Sequence, residues 1–344
     1  MVTTIGIDPH KATHTATAIN DTEQVLGEVT VAADRLQVQR LVGWADQLGT
    51  NGRVWAIESA GGLGSLLSQQ LVVAGERVVD VPAVLASRVR VLGSGRSQKN
   101  DENDARSIAI AALRQPGLHP VAPETHIQVL RMLAKRHLEL TSLRTQAVCR
   151  LHAVLAALQP GGMARRLSAK RATATLGRIR PHTPIEKQRK AMARQHLGDV
   201  RRLDRDLDRN RVEIKQTVAA SDTTVTEIRG VGPVVAAFLI GYTGDITRFG
   251  TADRYASYNG TAPIEASSGP RVRHRLNRRG NRTLNHAIHM AAVSQLRYPC
   301  EGRTYYDKKQ AEGKTKKEAM RALKRRISDV VYRHLTTDKQ QATR

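Results

Sequence analysis

The chain opens on a strand–turn–strand signature at residues 3–20 (TTIGIDPHKATHTATAIN), and that signature constrains everything that can follow. Ile5 and Ile7 lead into Asp8, Pro9 breaks the run, and residues 13–19 resume an alternation of Thr, Ala and Ile. Strands joined by a tight turn pair antiparallel, so Asp8 falls at the rim of a sheet, where a carboxylate faces a substrate without being buried unpaired. Residues 25–32 (VLGEVTVA) read as a third strand. Residues 34–48 show helical spacing at Leu36, Leu41, Trp44 and Leu48, with Asp34 as cap. Then come a short apolar strand at 53–58, a helix through Leu71, a strand at 77–81 and a helix at 101–113.

Three strands, a helix, then alternating strand and helix is an α/β order with an antiparallel start. It is similar to the ribonuclease H and RuvC-type nuclease fold. Glu58 stands to its strand as Asp8 stands to the first, at the C-terminal edge where open α/β sheets place their ligands. Asp101 and Asp104, at i and i+3 in the first turn of a helix, project from one face. Taken singly each is ordinary, a turn or a helix cap. Together, four carboxylates at a sheet rim form an oxygen-donor set for divalent metal in phosphoryl transfer, and without a cation they would repel one another. The run Gly61-Gly62-Leu63-Gly64 lacks the Lys-Ser/Thr ending of a phosphate loop and reads as a turn.

Charge divides the chain. Residues 1–120 carry 11 basic and 12 acidic side chains, whereas residues 121–344 carry 44 and 19, a net +25 that marks a polyanion binder. Aromatic residues are 3% of the chain, which favours phosphate and shape contacts over base stacking. Two cysteines, Cys149 and Cys300, imply no disulfide framework and suit a reducing cytoplasm. No apolar run approaches the roughly 18 residues of a membrane span, and no signal peptide is visible.

Within the basic part, residues 124–158 form a long helix with apolar positions at Leu133, Leu140, Ala147, Leu151, Leu155 and Leu158, and Cys149 reads as packing. Residues 185–218 repeat the pattern at Val200, Leu203, Leu207, Ile214 and Val218. A basic Gly- and Pro-containing connector, 160–184, joins them, so an antiparallel pair is expected, an oligomerisation arm. The turn Arg229-Gly230-Val231-Gly232-Pro233 before an apolar helix resembles a helix-hairpin-helix, whose backbone N–H groups face a phosphate. Ser267 and Ser268 precede Gly269-Pro270 in a loop, followed by Arg271, Arg273, Arg275, Arg278, Arg279 and Arg282, a stretch dense in phosphate-binding cations. A serine there is a candidate nucleophile for a phosphodiester. His286 and His289 share a helix face but lack a third zinc ligand. Residues 301–344 end the chain in a basic amphipathic helix.

The motifs GIDPHK, AIES, KNDENDA, IRGVGPVVAA, GDITRF, YNGTAP and SSG…RRGNR, in that order over residues 3–300, resemble the DEDD insertion-sequence transposases, the "one-ten" elements. The resemblance implies a fold of α/β plus α. A RuvC/ribonuclease H-like catalytic domain would span residues 1–120, a helical coiled-coil arm with a basic connector 121–222, and a basic, mainly helical domain carrying the nucleophilic serine 223–344. It implies Mg²⁺ held by Asp8, Glu58, Asp101 and Asp104 and Ser268 as nucleophile; Gly230, Gly232 and the six arginines are the nucleic-acid contacts expected from the residue pattern itself. The partners implied are double-stranded donor and target DNA, a structured noncoding guide RNA, and further copies of the chain in a tetramer, in the cytoplasm of a bacterium at its nucleoid. Two features depart from the family pattern. Lys99-Asn100-Asp101 stands where Lys-Thr-Asp is usual, and the doubled Ser267-Ser268 leaves the nucleophile open by one position. The alternative reading is a RuvC-like structure-specific nuclease in which water attacks. A third is a nucleic-acid binder on a degenerate nuclease fold, against which the intact carboxylate set speaks.

Overall fold

The structure, a computed structural model, describes residues 2–49, 52–94, 101–115, 117–163, 167–265, 274–275, 277 and 280–342, with only the backbone for 92–94, 101, 265 and 274–275. The chain forms two compact units, residues 1–124 and 125–344.

The first unit is built on β1 (Thr3–Pro9), β2 (Thr13–Ile19), β3 (Val25–Ala32), β4 (Arg53–Glu58) and β5 (Val78–Val81), in the order β3-β2-β1-β4-β5. The first three are antiparallel, and β1, β4 and β5 run parallel. This is the RuvC/ribonuclease H-like sheet expected from the sequence. Its helices are α1 (Gln37–Gln47), α2 (Ser65–Val73), α3 (Ala83–Ser94) and α4 (Asp101–Arg114).

Strand parity divides the sheet's two faces, because successive side chains point to opposite sides. Ile5, Ile7, Trp55, Ile57 and Val78 pack in one core with Leu41 of α1 and with Leu67 and Leu71 of α2. Ala56, Val79 and Val81 pack in a second with Ala86 of α3 and with Ile108 and Ala111 of α4. Gly6 lies on that second face. A Cβ built there would fall 2.1 Å from the Ala105 carbonyl oxygen and 2.5 Å from the Ala109 nitrogen, so only glycine lets the α4 backbone come this close to β1. Thr17 Oγ1 of β2 donates to the Glu102 carbonyl at 3.5 Å on the same face.

The sequence reading missed α3. Its apolar residues Leu85, Ala86 and Val89 serve the second core while Val84 and Val91 are exposed, which blurs the helical stripe. A buried polar chain also runs through this unit. His14 Nε2 donates to Gln37 Oε1 at 2.9 Å, Gln37 Nε2 donates to Gln70 Oε1 at 2.6 Å, and His14 Nδ1 has no hydrogen-bond partner among the described residues. Burial lowers the His14 pKa below 6.5, against the raising effect of the Gln37 bond.

The second unit begins with α5 (His126–Ala156), α6 (Ala169–Arg178) and α7 (Pro184–Ala219). Thr125 with Gln128 and Thr183 with Glu186 make capping boxes at the starts of α5 and α7. His137 pairs with Asn210, Arg144 with Asp204, and Arg189 with the Ala157 carbonyl, so α5 and α7 are antiparallel as expected. Leu140, Leu151 and Leu155 meet Leu197, Val200 and Leu203 between them. Inside the expected connector lies the unforeseen α6. Ser168 caps it and its buried Ala172 and Leu176, at i and i+4, join the same core. Cys149 corrects the packing assignment: it is exposed, because the buried stripe of α5 passes through Ala147 and Leu151 instead. On α7 the pairs Asp199–Arg202, Asp206–Arg209 and Asp208–Arg211 cancel much of the charge at i, i+3 spacing.

The rest of the unit comprises α8 (Pro233–Thr243), α9 (Ala252–Tyr258), the two-residue strands β6 (Ile264–Glu265) and β7 (His274–Arg275), α10 (Arg282–Gln295), α11 (Glu301–Ala311) and α12 (Lys316–Ala342). Phe238, Leu239, Ile288 and Ile327 centre its core, which also takes Leu130 of α5 and Ile214 of α7. Among the described residues no helix is long and apolar enough to cross a membrane.

Both tryptophans, Trp44 and Trp55, lie in the first unit, so their fluorescence reports its unfolding alone. Gly6→Ala is expected to lower that unit's stability by about 1–3 kcal/mol, as overpacking does. Gly43→Ala, where no atom lies within 4 Å of a built Cβ, is not. For His14 the unfolded chain binds the proton more tightly than the fold does, so its contribution is complete above pH ~6.5 and declines as pH falls towards the lowered folded value. Denaturant midpoints read by tryptophan fluorescence at pH 7.5 and 5.5 should therefore differ more in the wild type than in His14→Gln.

Candidate active site

Asp8 and Glu58 each follow directly on the parallel pair Ile7–Ile57, so the two carboxylates end neighbouring strands at the same edge. By parity both share the face of Gly6 and Ala56, the face on which α4 packs. Asp104 comes from the first turn of α4 and is 8% exposed. Asp8, Glu58 and Asp104 line one pocket of about 280 Å³ together with His10, Ala83, Ala86, Ser87, Arg90 and Ser107. Positions 83, 86, 87 and 90 form one stripe of α3, and 104 and 107 one stripe of α4. Ala83, Ala86, Ser87 and Ser107 are small, which leaves the space that the three carboxylates border.

The sequence reading missed two charged residues of this pocket. His10 Nδ1 lies 3.8 Å from Asp8 Oδ2, an ion pair when the imidazole is protonated. Its only signal was its place in GIDPHK. Arg90 Nη1 donates to Asp104 Oδ1 at 2.5 Å. That bond, then the Asp104 charge itself, and at longer range Glu58 and Asp8, hold the guanidinium more firmly protonated than usual. A fourth acidic side chain at the edge, Asp80, is on the other face by parity. It accepts the Ala60 N–H at 2.9 Å and so braces the turn that leaves β4 through Ser59, whose φ of 55° is left-handed.

Three carboxylates from three separate elements are oxygen donors of the kind a hard divalent ion takes, and they fit such an ion by chemistry and by sharing one pocket. As the side chains stand, no three His, Cys, Asp or Glu groups among the described residues converge to hold a metal. The Asp101 backbone begins α4, three residues before Asp104, and its side chain lies outside the described residues.

In the second unit the hairpin glycines have distinct structural duties. Gly230 has φ 87°, and a Cβ on it would lie 2.7 Å from the Ala291 carbonyl of α10. Gly232 is the N-cap of α8, with Pro233 in the first turn and no side-chain cap. Ser267, Ser268, Arg271, Arg273, Arg278 and Arg279 lie outside the described residues. The Arg275 backbone pairs with Ile264 between β6 and β7, and Arg282 opens α10, exposed.

The described residues on either side of the serine- and arginine-rich segment are closely tied. The Asn281 N–H donates to the Tyr258 carbonyl at 2.6 Å, Asn285 Nδ2 to the Asn259 carbonyl at 3.0 Å, and Asn259 Nδ2 to Ser328 Oγ at 2.8 Å. A Cβ on Gly280 would fall 2.5 Å from Gly260 Cα. Tyr258, Asn259 and Gly260 belong to the YNGTAP motif and Gly280 and Asn281 to RRGNR, so these two motifs are held against each other. Lys324 Nζ donates to Asn285 Oδ1 at 2.5 Å, and burial, with Arg282 adding, lowers its pKa to about 8. His289 is lowered by burial, then by Lys324 and His286.

A family model described as a transposase of the DEDD, IS110 type matches residues 5–160, and a second, "Transposase IS116/IS110/IS902 family", matches residues 222–307. The chain is 27% identical to an uncharacterized 44.8 kDa protein of insertion element IS116 from Streptomyces clavuligerus, over 95% of this chain and 93% of that one. It is 29% identical to the 42 kDa protein of IS900 from Mycobacterium paratuberculosis, over 95% and 94%. A 43.6 kDa protein of IS110 from Streptomyces coelicolor is 38% identical over 31% of this chain and 27% of its own length. Among solved structures, T. thermophilus RuvC in complex with a Holliday junction substrate covers 35% of this chain and 100% of its own, at 15% identity and a TM-score of 0.28, too low to say more about this chain. With both family models matching in order along a chain whose first unit has the expected sheet, the protein belongs to the IS110 family of transposases.

Proposed function

We propose that this transposase is an RNA-guided DNA recombinase that cuts and rejoins strands through a 5′-phosphoserine, with Mg²⁺ bound by Asp8, Glu58, Asp101 and Asp104. The observation that carries the reading is that Asp8, Glu58 and Asp104, from β1, β4 and α4, line one pocket at the C-terminal sheet edge. The ion, when bound there, supplies Lewis-acid activation of a hydroxyl and stabilisation of a departing oxygen.

The chain's own groups account for the rest. The Ser268 hydroxyl oxygen forms a bond to phosphorus as the bond from phosphorus to the 3′ oxygen breaks. The serine proton leaves and the 3′ oxygen ends as a hydroxyl. The phosphate stays on the protein as a 5′-phosphoserine ester, so bond energy is retained for rejoining by attack of another 3′ hydroxyl, without a nucleotide cofactor. The basic residues 121–344 neutralise backbone phosphate, in duplex DNA and in a structured guide RNA alike. Sequence choice then rests on base pairing by the RNA, and the low aromatic content suits a protein that holds backbone rather than reading bases. Exchange at two DNA sites needs several serines, and a tetramer with the α5–α7 pair as contact arm supplies them.

Asp8→Asn and Ser268→Ala separate this mechanism from attack by water. With purified protein, guide RNA, Mg²⁺ and labelled DNA, a denaturing gel should show a covalent protein–DNA species in the wild type and in neither variant. Strand cleavage that persists in Ser268→Ala without that species would mean a water-using nuclease. For guidance, a specific structured transcript should copurify with the protein, and recombination should fall to background after ribonuclease treatment and return on adding the transcript. Sequence-specific recombination by RNA-free protein would contradict it.

A further inference from the structure

The carboxylate pocket contains a cation of its own. Arg90 lies on the α3 stripe that faces it, is bonded to Asp104 Oδ1 at 2.5 Å, and its side chain is 30% exposed while that of Asp104 is 10% exposed. Three carboxylates around about 280 Å³ of space repel one another, and a guanidinium among them offsets part of that repulsion. A divalent ion seated among the same carboxylates would meet Arg90 as a like charge at close range, well inside the distance over which salt screens charges from one another. It would also draw on the Asp104 oxygen that accepts the Arg90 hydrogen bond.

We propose that Arg90 is the resident counter-charge of this pocket and competes with the divalent ion for Asp104, so that it sets how tightly the ion binds. The opposite role, an arginine that orients Asp104 for the ion and strengthens binding, is the outcome that would overturn it. The charges facing the guanidinium favour competition. It is held by the fields of Glu58 and Asp8 as well as by Asp104, so its positive charge is felt by three of the groups that would ligate. Arg90 is therefore a positioning residue, acting on the ion through Asp104. The inference rests on the pocket being the ion site.

The test is Mn²⁺ binding to the full chain, read as loss of the free-ion signal in electron paramagnetic resonance, with thermal unfolding in chelator measured alongside. Arg90→Gln removes the charge and keeps an N–H donor for Asp104. Arg90→Met, uncharged with a similar stem, is the second variant should the first fail to fold. Either is expected to tighten Mn²⁺ binding at least about fivefold, the low end of a typical coupling free energy, and to lower the melting temperature in chelator. Mn²⁺ binding that is unchanged or weaker in the folded variants overturns the inference. Asp8→Asn separates that result from failure of the reading beneath it. If wild-type binding does not depend on Asp8, the ion is not in this pocket and both readings fall.

Discussion

The site depends on how closely α4 approaches β1. At Gly6 the backbone of the helix occupies the space a side chain would need, with a built Cβ 2.1 Å from the Ala105 carbonyl oxygen. That contact lies two residues before Asp8 and one residue after Asp104, so it sets the separation of carboxylates that are about a hundred positions apart in the chain. Strand parity does the rest. Gly6, Asp8, Ala56 and Glu58 share a face, and α4 covers it. A one-residue slip of β4 against β1 would send Glu58 to the face of Trp55 and Ile57, where an unpaired carboxylate would meet an apolar core.

That geometry creates an electrostatic problem, and the pocket's remaining residues answer it. Asp80 ends on the opposite face and is committed to the Ala60 N–H, so it braces the turn after Glu58 without adding to the repulsion. Arg90 and His10 bring positive charge or the capacity for it. Small side chains at 83, 86, 87 and 107 keep the pocket open, so charge rather than steric crowding governs what enters. The second unit solves a different problem, holding residues 258–260 against 280–285 by glycine contact and asparagine hydrogen bonds.

Much of this was legible in the sequence. Alternation in residues 3–19 and the short run at 53–58 located β1, β2 and β4, and the acidic residues at their ends followed. The heptad-like spacing of leucines located α5 and α7. What escaped detection was amphipathicity too weak or too short to stand out. In α3 two of the three valines face solvent, and with that helix went Arg90, whose meaning depends on a partner 14 residues away across a helix packing. In α6 only Ala172 and Leu176 mark the buried face among basic residues. Cys149 was misassigned because cysteine favours interiors on average, while the α5 stripe runs through its neighbours two residues to either side. The duties of Gly230, Gly260 and Gly280 depend on segments distant in sequence, so no local pattern shows them.

The claim on which the functional account turns is that a divalent ion sits among Asp8, Glu58 and Asp104. Iron-mediated backbone cleavage tests it without reference to activity. Fe²⁺ loaded in place of Mg²⁺, with ascorbate and peroxide, generates hydroxyl radical at the ion and cuts the chain beside it. The expected result is fragments ending near residues 8, 58 and 104 together, lost in Asp8→Asn and suppressed by excess Mg²⁺. Cuts confined to other segments, or a pattern indifferent to Asp8, would contradict the account.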